Sequence, residues 1–264
     1  MPSTRRKAEP PEALLRSYAE GLGLPVMGES SVKLVPGAAL AERYLLSVPA
    51  PDITPRQVAE LVHLAVSVGL EPEMADRVAT DLPLSTNLHF GFEREGEQTT
   101  LKLYCEFPIE RGWDIARRGG HPMLVHRAVK WDPRDANRAA VSRYVAHPAR
   151  NVADTGDRIR ELLGQGAPAD LAIGLFNRAA GRIPAQERLF LEVEEEGSPR
   201  RSFDLKLYDA RFTTADLGPA LPGLIAFFGI EGFRVPAAAL GHIAGGRGRD
   251  GKPFLTLYYG GGQA

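Results

Sequence analysis

Residues 88–107 read LHFGFEREGEQTTLKLYCEF, and how this stretch is read decides the fold. Apolar and polar residues alternate on both sides of a charged turn containing Gly96, the pattern of two strands joined as a hairpin. In the second strand Thr100, Lys102, Tyr104 and Glu106 share one face, while Leu101, Leu103 and Cys105 share the other. Two further segments repeat the design. Residues 189–212 read LFLEVEEEGSPRRSFDLKLYDARF and residues 240–259 read LGHIAGGRGRDGKPFLTLYY. Each is an alternating strand, a polar turn with Gly, and a second strand ending in LKLY or LTLY. The corresponding faces are Ser202, Asp204, Lys206 and Tyr208 against Phe203, Leu205 and Leu207, then Phe254, Thr256 and Tyr258 against Leu255, Leu257 and Tyr259.

Helical periodicity fills the intervals. Residues 54–68 open on a Thr-Pro start signal and place Val58, Leu61, Val62 and Ala65 on one face. Residues 154–163 and 169–180 predict two more helices, parted by Gly164-Gln165-Gly166. Residues 214–228 predict a helix broken by two Gly/Pro pairs. Residues 43–48 and 123–131 complete the strand set, the latter pairing with residues 142–146. The sum is about five hairpins separated by helices, an α/β chain. One oily face packs on helices, and the mixed face lines the interior of a closed antiparallel barrel of about ten strands, wide enough for a ligand. The expected organisation is one domain over residues 1–264, with residues 1–12 disordered.

Composition narrows the function. The net charge is −1, with 25% charged residues, which argues against a nucleic-acid partner held by bulk electrostatics. Cys105 is the single cysteine and falls on the oily face, so neither a disulfide framework nor a thiol nucleophile is expected. No apolar run reaches the ~20 residues that cross a bilayer. The basic start is followed by Glu9, Pro10, Pro11 and Glu12 where a signal peptide needs its apolar core, so a cytoplasmic location is expected. Only six of the 32 basic residues are lysines. Three of these, Lys102, Lys130 and Lys206, nonetheless sit inside apolar strand runs, where desolvating an ammonium is costly. Aimed into one lumen they would repel each other unless an anion lay among them, and phosphate oxygens suit such donors. Tyr104, Tyr208 and Tyr258 would form an aromatic layer beside that anion, able to stabilise a cation. His89, His126, His242, Asp204 and Thr256 are further lumen candidates. Trp113, in the connector over residues 108–120, reads as a surface anchor.

The Lys-x-Tyr strands, the repeated strand-strand-helix units, and the segments KLYCEF (102–107), AVKW (128–131) and HIAGG (242–246) followed by FLTLYY (254–259) resemble the aromatic prenyltransferases of the ABBA barrel class. Within that class they resemble the peptide prenyltransferases of cyanobactin pathways. The resemblance spans roughly residues 30–260. It implies transfer of a dimethylallyl or geranyl group from a prenyl diphosphate to a peptide or aromatic acceptor, usually with Mg²⁺ in the peptide-modifying branch. On that reading Lys102, Lys130 and Lys206, with Arg43, hold the diphosphate, and Tyr104, Tyr208 and Tyr258 shield the allylic cation. Glu106 or Glu42 takes the acceptor proton or helps to position Mg²⁺, whose ligands the sequence does not identify. The peptide acceptor expected is a Tyr, Trp or Arg side chain, because short connectors and an early chain end favour an open mouth. The alternatives are a small-molecule indole prenyltransferase, a non-catalytic ligand-binding barrel, and an interaction module with its basic face outward.

Overall fold

The computed structural model describes residues 9–110 and 112–263. After helix α1 (Pro11–Gly21) the chain runs β1 (Met27–Val35), the short β2 (Ala38–Leu40) and β3 (Arg43–Pro49). Helices α2 (Pro55–Ser67) and α3 (Pro72–Asp81) lead to the hairpin β4 (Asn87–Glu95) and β5 (Gln98–Glu106). Helix α4 (Trp113–Gly119) precedes β6 (Met123–Asp132) and β7 (Asp135–Ala146), and α5 (Val152–Leu163) and α6 (Ala167–Ala180) precede β8 (Phe190–Glu195) and β9 (Arg201–Lys206). Two 3₁₀ turns and α7 (Leu221–Phe228) bring the chain to β10 (Leu240–Arg247) and β11 (Pro253–Gln263).

Every neighbouring strand pairs antiparallel, and β11 closes on β1 from Met27↔Gln263 to Leu34↔Leu255. With β2 set aside as a flap on β1, ten strands form a closed barrel ringed by helices, as the alternation of residues 88–107 requires. Closure leaves no free edge, which is how a sheet this long avoids pairing with other chains. Five hairpin turns lie at one end, which we call the turn end. The strand-to-helix links lie at the other, the helix end.

The oily face packs outward as expected. Leu101, Leu103 and Cys105 are buried beneath α1–α3, and Phe203, Leu205, Leu207, Leu255 and Leu257 are buried beneath α5–α7. Burying each such Leu or Phe stabilises the fold by about 1.5–3 kcal/mol. Burial raises the Cys105 thiol to about 12, as befits a core residue. Helix α2 starts at a full capping box, in which Thr54 accepts from the Gln57 amide while the Gln57 side chain accepts from the Thr54 amide.

Four expectations are corrected. The last residues of the segment expected to be disordered, Pro11 and Glu12, open α1, while residues 1–8 lie outside the described residues. The connector after β5 contains α4, and Trp113 is buried in the cluster under β6–β8 instead of anchoring a surface. The LKLY of residues 205–208 leaves the sheet early. Lys206 ends β9, and Tyr208 begins a 3₁₀ turn. Finally, no strand was expected before residue 43, yet β1 and β2 occupy that stretch and β1 supplies the closing seam. Among the described residues no helix is long and apolar enough to cross a membrane.

Candidate functional site

The inward residues of β1 and β3–β11 build a lumen with two chemically distinct halves. At the turn end it opens as a cavity of about 800 Å³ lined by Lys33, Arg43, Glu93, Lys102, Lys130 and Arg200 among others. Strand register places the key pair: Lys102 on β5 stands directly opposite Lys130 on β6. Like charges facing across a ladder are destabilising. Glu93 on β4 offsets one of them, ion-pairing with both Lys102 and Arg43, and Arg43 Nε also donates to Ser31 Oγ at 3.2 Å. Gly91 makes this packing possible. It faces Lys102 across the β4–β5 ladder, and a Cβ there would lie 3.1 Å from the Lys102 Cβ and 3.3 Å from the Tyr104 ring.

Lys130 is different. It makes no ion pair among the described residues, and its ammonium lies 5.8 Å from the centre of the Tyr144 ring. Burial, then the Lys102 and Arg200 charges, push it well below the ordinary lysine range. Burial likewise brings Lys102 down to about 8 in spite of Glu93. Glu93 itself is held well below the carboxylate range, because Arg43 and Lys102 outweigh the burial that opposes its charge. Two lysines whose charge is disfavoured by burial, one of them with no ion pair among the described residues, make a site that an anion would charge and stabilise.

Below the cations lies an aromatic belt. Tyr104 and Tyr144 meet at 5.8 Å between ring centres, Tyr258 completes the belt, and all three line the cavity. Burial raises all three phenols far above their usual value, so they stay neutral hydroxyls. Tyr258 stacks on His242 at 3.8 Å.

The helix-end half is acidic and imidazole-rich. His242 is clamped between two carboxylates, with Nδ1 2.7 Å from Asp204 and Nε2 3.0 Å from Glu29. Burial alone would discharge it, but Asp204 and then Glu29 raise it to about 10. Glu29 also accepts from the Tyr208 hydroxyl at 3.0 Å. Gly241 leaves room for this contact, since a Cβ there would sit 2.3 Å from the Glu29 Oε1. Three strands from β1, Glu106 accepts from Asn87 Nδ2 at 2.7 Å and from Lys206 Nζ at 3.3 Å, with His89 and His126 beside it.

The structure brings together most of the side chains singled out from sequence, but not all. Lys102, Lys130, Arg43, Tyr104, Tyr258, Asp204 and Thr256 line one cavity. Lys206 shares their face but lies at the helix end on Glu106, so the expected three-lysine cluster is a pair. Tyr208, lifted out of register by its 3₁₀ turn, is not part of the belt, and Tyr144 takes its place. Glu42 lies outside the lumen, exposed and paired with Arg94 on the outer wall. His89, His126, His242 and Glu106 all face the helix-end half.

Sequence reasoning missed Glu93, Tyr144, Lys33, Arg200 and Glu29. Glu93 and Tyr144 were within reach. Glu93 follows the alternation of His89 on β4, and Tyr144 stands on β7 directly opposite His126. Lys33 and Glu29 lie on β1, whose strand was not foreseen, and Arg200 sits in a turn, where periodicity is silent.

The donor set at the turn end does not fit Mg²⁺. Glu93 is committed to Arg43 and Lys102, Glu195 to Arg200 and Arg249, Asp204 to His242, Glu95 to Lys33 and Asp250 to Lys252. That leaves Asp132, accepting from the Arg134 amide, as a lone carboxylate not paired with a cation among the described residues. The charge that a diphosphate needs is supplied there by ammonium and guanidinium groups.

No family model matches the sequence, and no curated protein matches it. Solved structures do match in fold. The 5-dimethylallyltryptophan synthase from Streptomyces coelicolor aligns over 89% of this chain and 81% of its own, at 16% identity and a TM-score of 0.53. The prenyltransferase PriB, in a ternary complex with L-tryptophan and dimethylallyl thiolodiphosphate, aligns over 89% and 79%, at 16% identity and a TM-score of 0.54. NotF, in complex with brevianamide F and the same kind of thiolodiphosphate, aligns over 90% and 80%, at 11% identity and a TM-score of 0.55. These identities carry the barrel architecture and nothing finer.

Proposed function

We propose that the chain transfers a prenyl group from an allylic prenyl diphosphate to an electron-rich aromatic acceptor. The observation that carries this reading is Lys130, a half-buried lysine with no ion pair among the described residues, set opposite Lys102 above a belt of three tyrosines. Lys102, Lys130 and Arg43, with Lys33 and Arg200 at the mouth, hold the diphosphate. Binding charges both lysines fully and offsets the negative charge that grows as the allylic C–O bond breaks and its electron pair leaves with the diphosphate. Tyr104, Tyr144 and Tyr258 flank the allylic cation and keep water from it, so that capture by the acceptor outruns hydrolysis. The acceptor's π electrons form the new C–C bond, and its ring proton passes to a carboxylate of the helix-end half. Glu29, buried beside the Tyr258–His242 stack, is the candidate. No step requires a metal ion.

A peptide's tryptophan or tyrosine side chain is the acceptor that the open turn end favours, because the cavity meets solvent among the hairpin tips and leaves room for a chain to lie across it. A small indole is the second reading, supported by the tryptophan and brevianamide F held by the structural neighbours. The deciding experiment incubates the protein with dimethylallyl or geranyl diphosphate, and with free tryptophan or a pool of Trp- and Tyr-containing peptides, with and without chelator. Mass spectrometry should find an adduct one prenyl unit heavier in both chelator arms. Absence of any adduct with every acceptor, and no diphosphate release above buffer, would overturn the assignment.

A further inference from the structure

We infer that His89, Glu106 and His126, at the helix end of the lumen, form a binding site for a divalent transition-metal ion of the zinc class. The three residues come from β4, β5 and β6, and one ligand atom from each lies within 4.8 Å of the other two. Two of the candidate atoms have no other use. His89 Nε2 and His126 Nδ1 are buried without a hydrogen-bond partner. A buried polar atom left unpaired is costly, and clusters of such atoms mark an absent ion or water. Glu106 Oε2 lies 3.4 Å from His89 Nε2, beyond the usual 2.7–3.2 Å of an N–H···O bond. That spacing suits a metal. Tetrahedral coordination with bonds of about 2.0–2.1 Å sets neighbouring ligand atoms about 3.3–3.4 Å apart.

The surrounding groups fix the ligands as they do in metal centres. Ser47 Oγ lies 2.7 Å from His89 Nδ1, so a proton held there and shared with Ser47 leaves Nε2 with its lone pair toward Glu106. Asn87 donates to Glu106 Oε2 and Lys206 to Oε1, which hold the carboxylate in place. The two imidazoles sit 5.7 Å apart between ring centres, at 61° to one another, walled by Tyr104 and Tyr144. Two imidazoles and one carboxylate are a borderline-soft donor set, suited to Zn²⁺ or Fe²⁺ and unlike the all-oxygen shell that Mg²⁺ demands. Three protein ligands leave a position for water or a heteroatom of a guest in the lumen. The site belongs to the end opposite the diphosphate cations and takes no part in holding that group, so it stands or falls apart from the proposed transfer reaction.

The test uses the full chain, stripped with chelator and titrated with CoCl₂ and then ZnCl₂. One equivalent of Co²⁺ should give visible ligand-field absorption that Zn²⁺ abolishes, and Zn²⁺ should raise the melting temperature. His126→Phe and Glu106→Gln should each weaken zinc binding by at least about 100-fold, and Ser47→Ala by roughly 10-fold, the scale of a lost orienting contact. His121→Ala with His147→Ala, altering histidines elsewhere on the chain, should leave the titration unchanged. Should either ligand variant fail to fold, the Ser47→Ala shift and the zinc-dependent melting of the unaltered chain decide the matter. A featureless cobalt titration, or binding undiminished in the ligand and Ser47 variants, overturns the inference.

Discussion

The two ends of the lumen solve one electrostatic problem in opposite ways. At the helix end the buried charges compensate one another: His242 sits between Asp204 and Glu29, and Lys206 rests on Glu106. At the turn end they do not. Arg43 and Lys102 share the carboxylate of Glu93, Lys130 has no ion pair among the described residues, and Arg200 shares Glu195 with Arg249. Buried ion pairs that balance give a half with no need of an anion, whereas a cluster with surplus cations stores a preference for one. The difference lies in the residues, since both halves have the same strand geometry and the same oily exterior.

Removing the carboxylate that Arg43 and Lys102 share at the turn end gives the largest expected effect. Glu93→Gln leaves buried Arg43 and Lys102 without their carboxylate and should destabilise the fold by about 3–5 kcal/mol in urea unfolding. Inorganic diphosphate should restore most of the loss. A variant as stable as the parent, or one that diphosphate does not rescue, would erase the contrast drawn here.

At the helix end the sign of the pH dependence is fixed by the raised His242, about 10 in the folded chain against 6.5 for a free histidine. Its contribution is fully present below the unfolded value, falls as pH rises through that window, and is gone above about 10. Unfolding free energy of the parent should therefore decline by a few kcal/mol between pH 6.5 and 10. His242→Gln should flatten that slope, and parallel slopes for the two proteins would show that the triad is not coupled to folding.

Anion binding should separate the two ends directly. Lys102→Ala should weaken inorganic diphosphate by about 1.5–3 kcal/mol in calorimetric titration, the worth of a hydrogen bond to a charged group. Lys206→Ala should change it by less than about 0.5 kcal/mol. Equal losses would mean that the lysines converge after all.

The smallest effect sharpens the picture. Because burial depresses Lys102 to about 8, its charge in the empty protein is present below that pH and lost above it. Above pH 8 the Lys102 contribution to diphosphate affinity should weaken by up to about tenfold per unit, on top of any slope that Lys130 adds. Lys102→Arg, always charged, should remove that part of the dependence, and an affinity that is flat with pH in the parent would place Lys102 outside the anion site.

The sequence by itself determined the barrel. Alternation in residues 88–107, 189–212 and 240–259 dictates which face of each strand is oily, and an oily face with helices to cover it and a mixed face with lysines has few closed solutions. It also picked out Lys102 and Lys130, because lysine is scarce in this chain and both stand in apolar runs. Only the tertiary structure decided the depth at which each side chain sits. The period of two tells inside from outside but not the level along the barrel axis, which register and shear set through contacts distant in sequence. So Lys206 was grouped with Lys102 although one rests on Glu106 and the other on Glu93. Tyr208 was placed in a belt that Tyr144 completes, since nothing in LKLY announces that the strand ends at Lys206. Glu93, His89 and His126 take their roles from neighbours on adjacent strands, and Glu29 takes its role from His242, a neighbour that exists only once β11 has closed on β1.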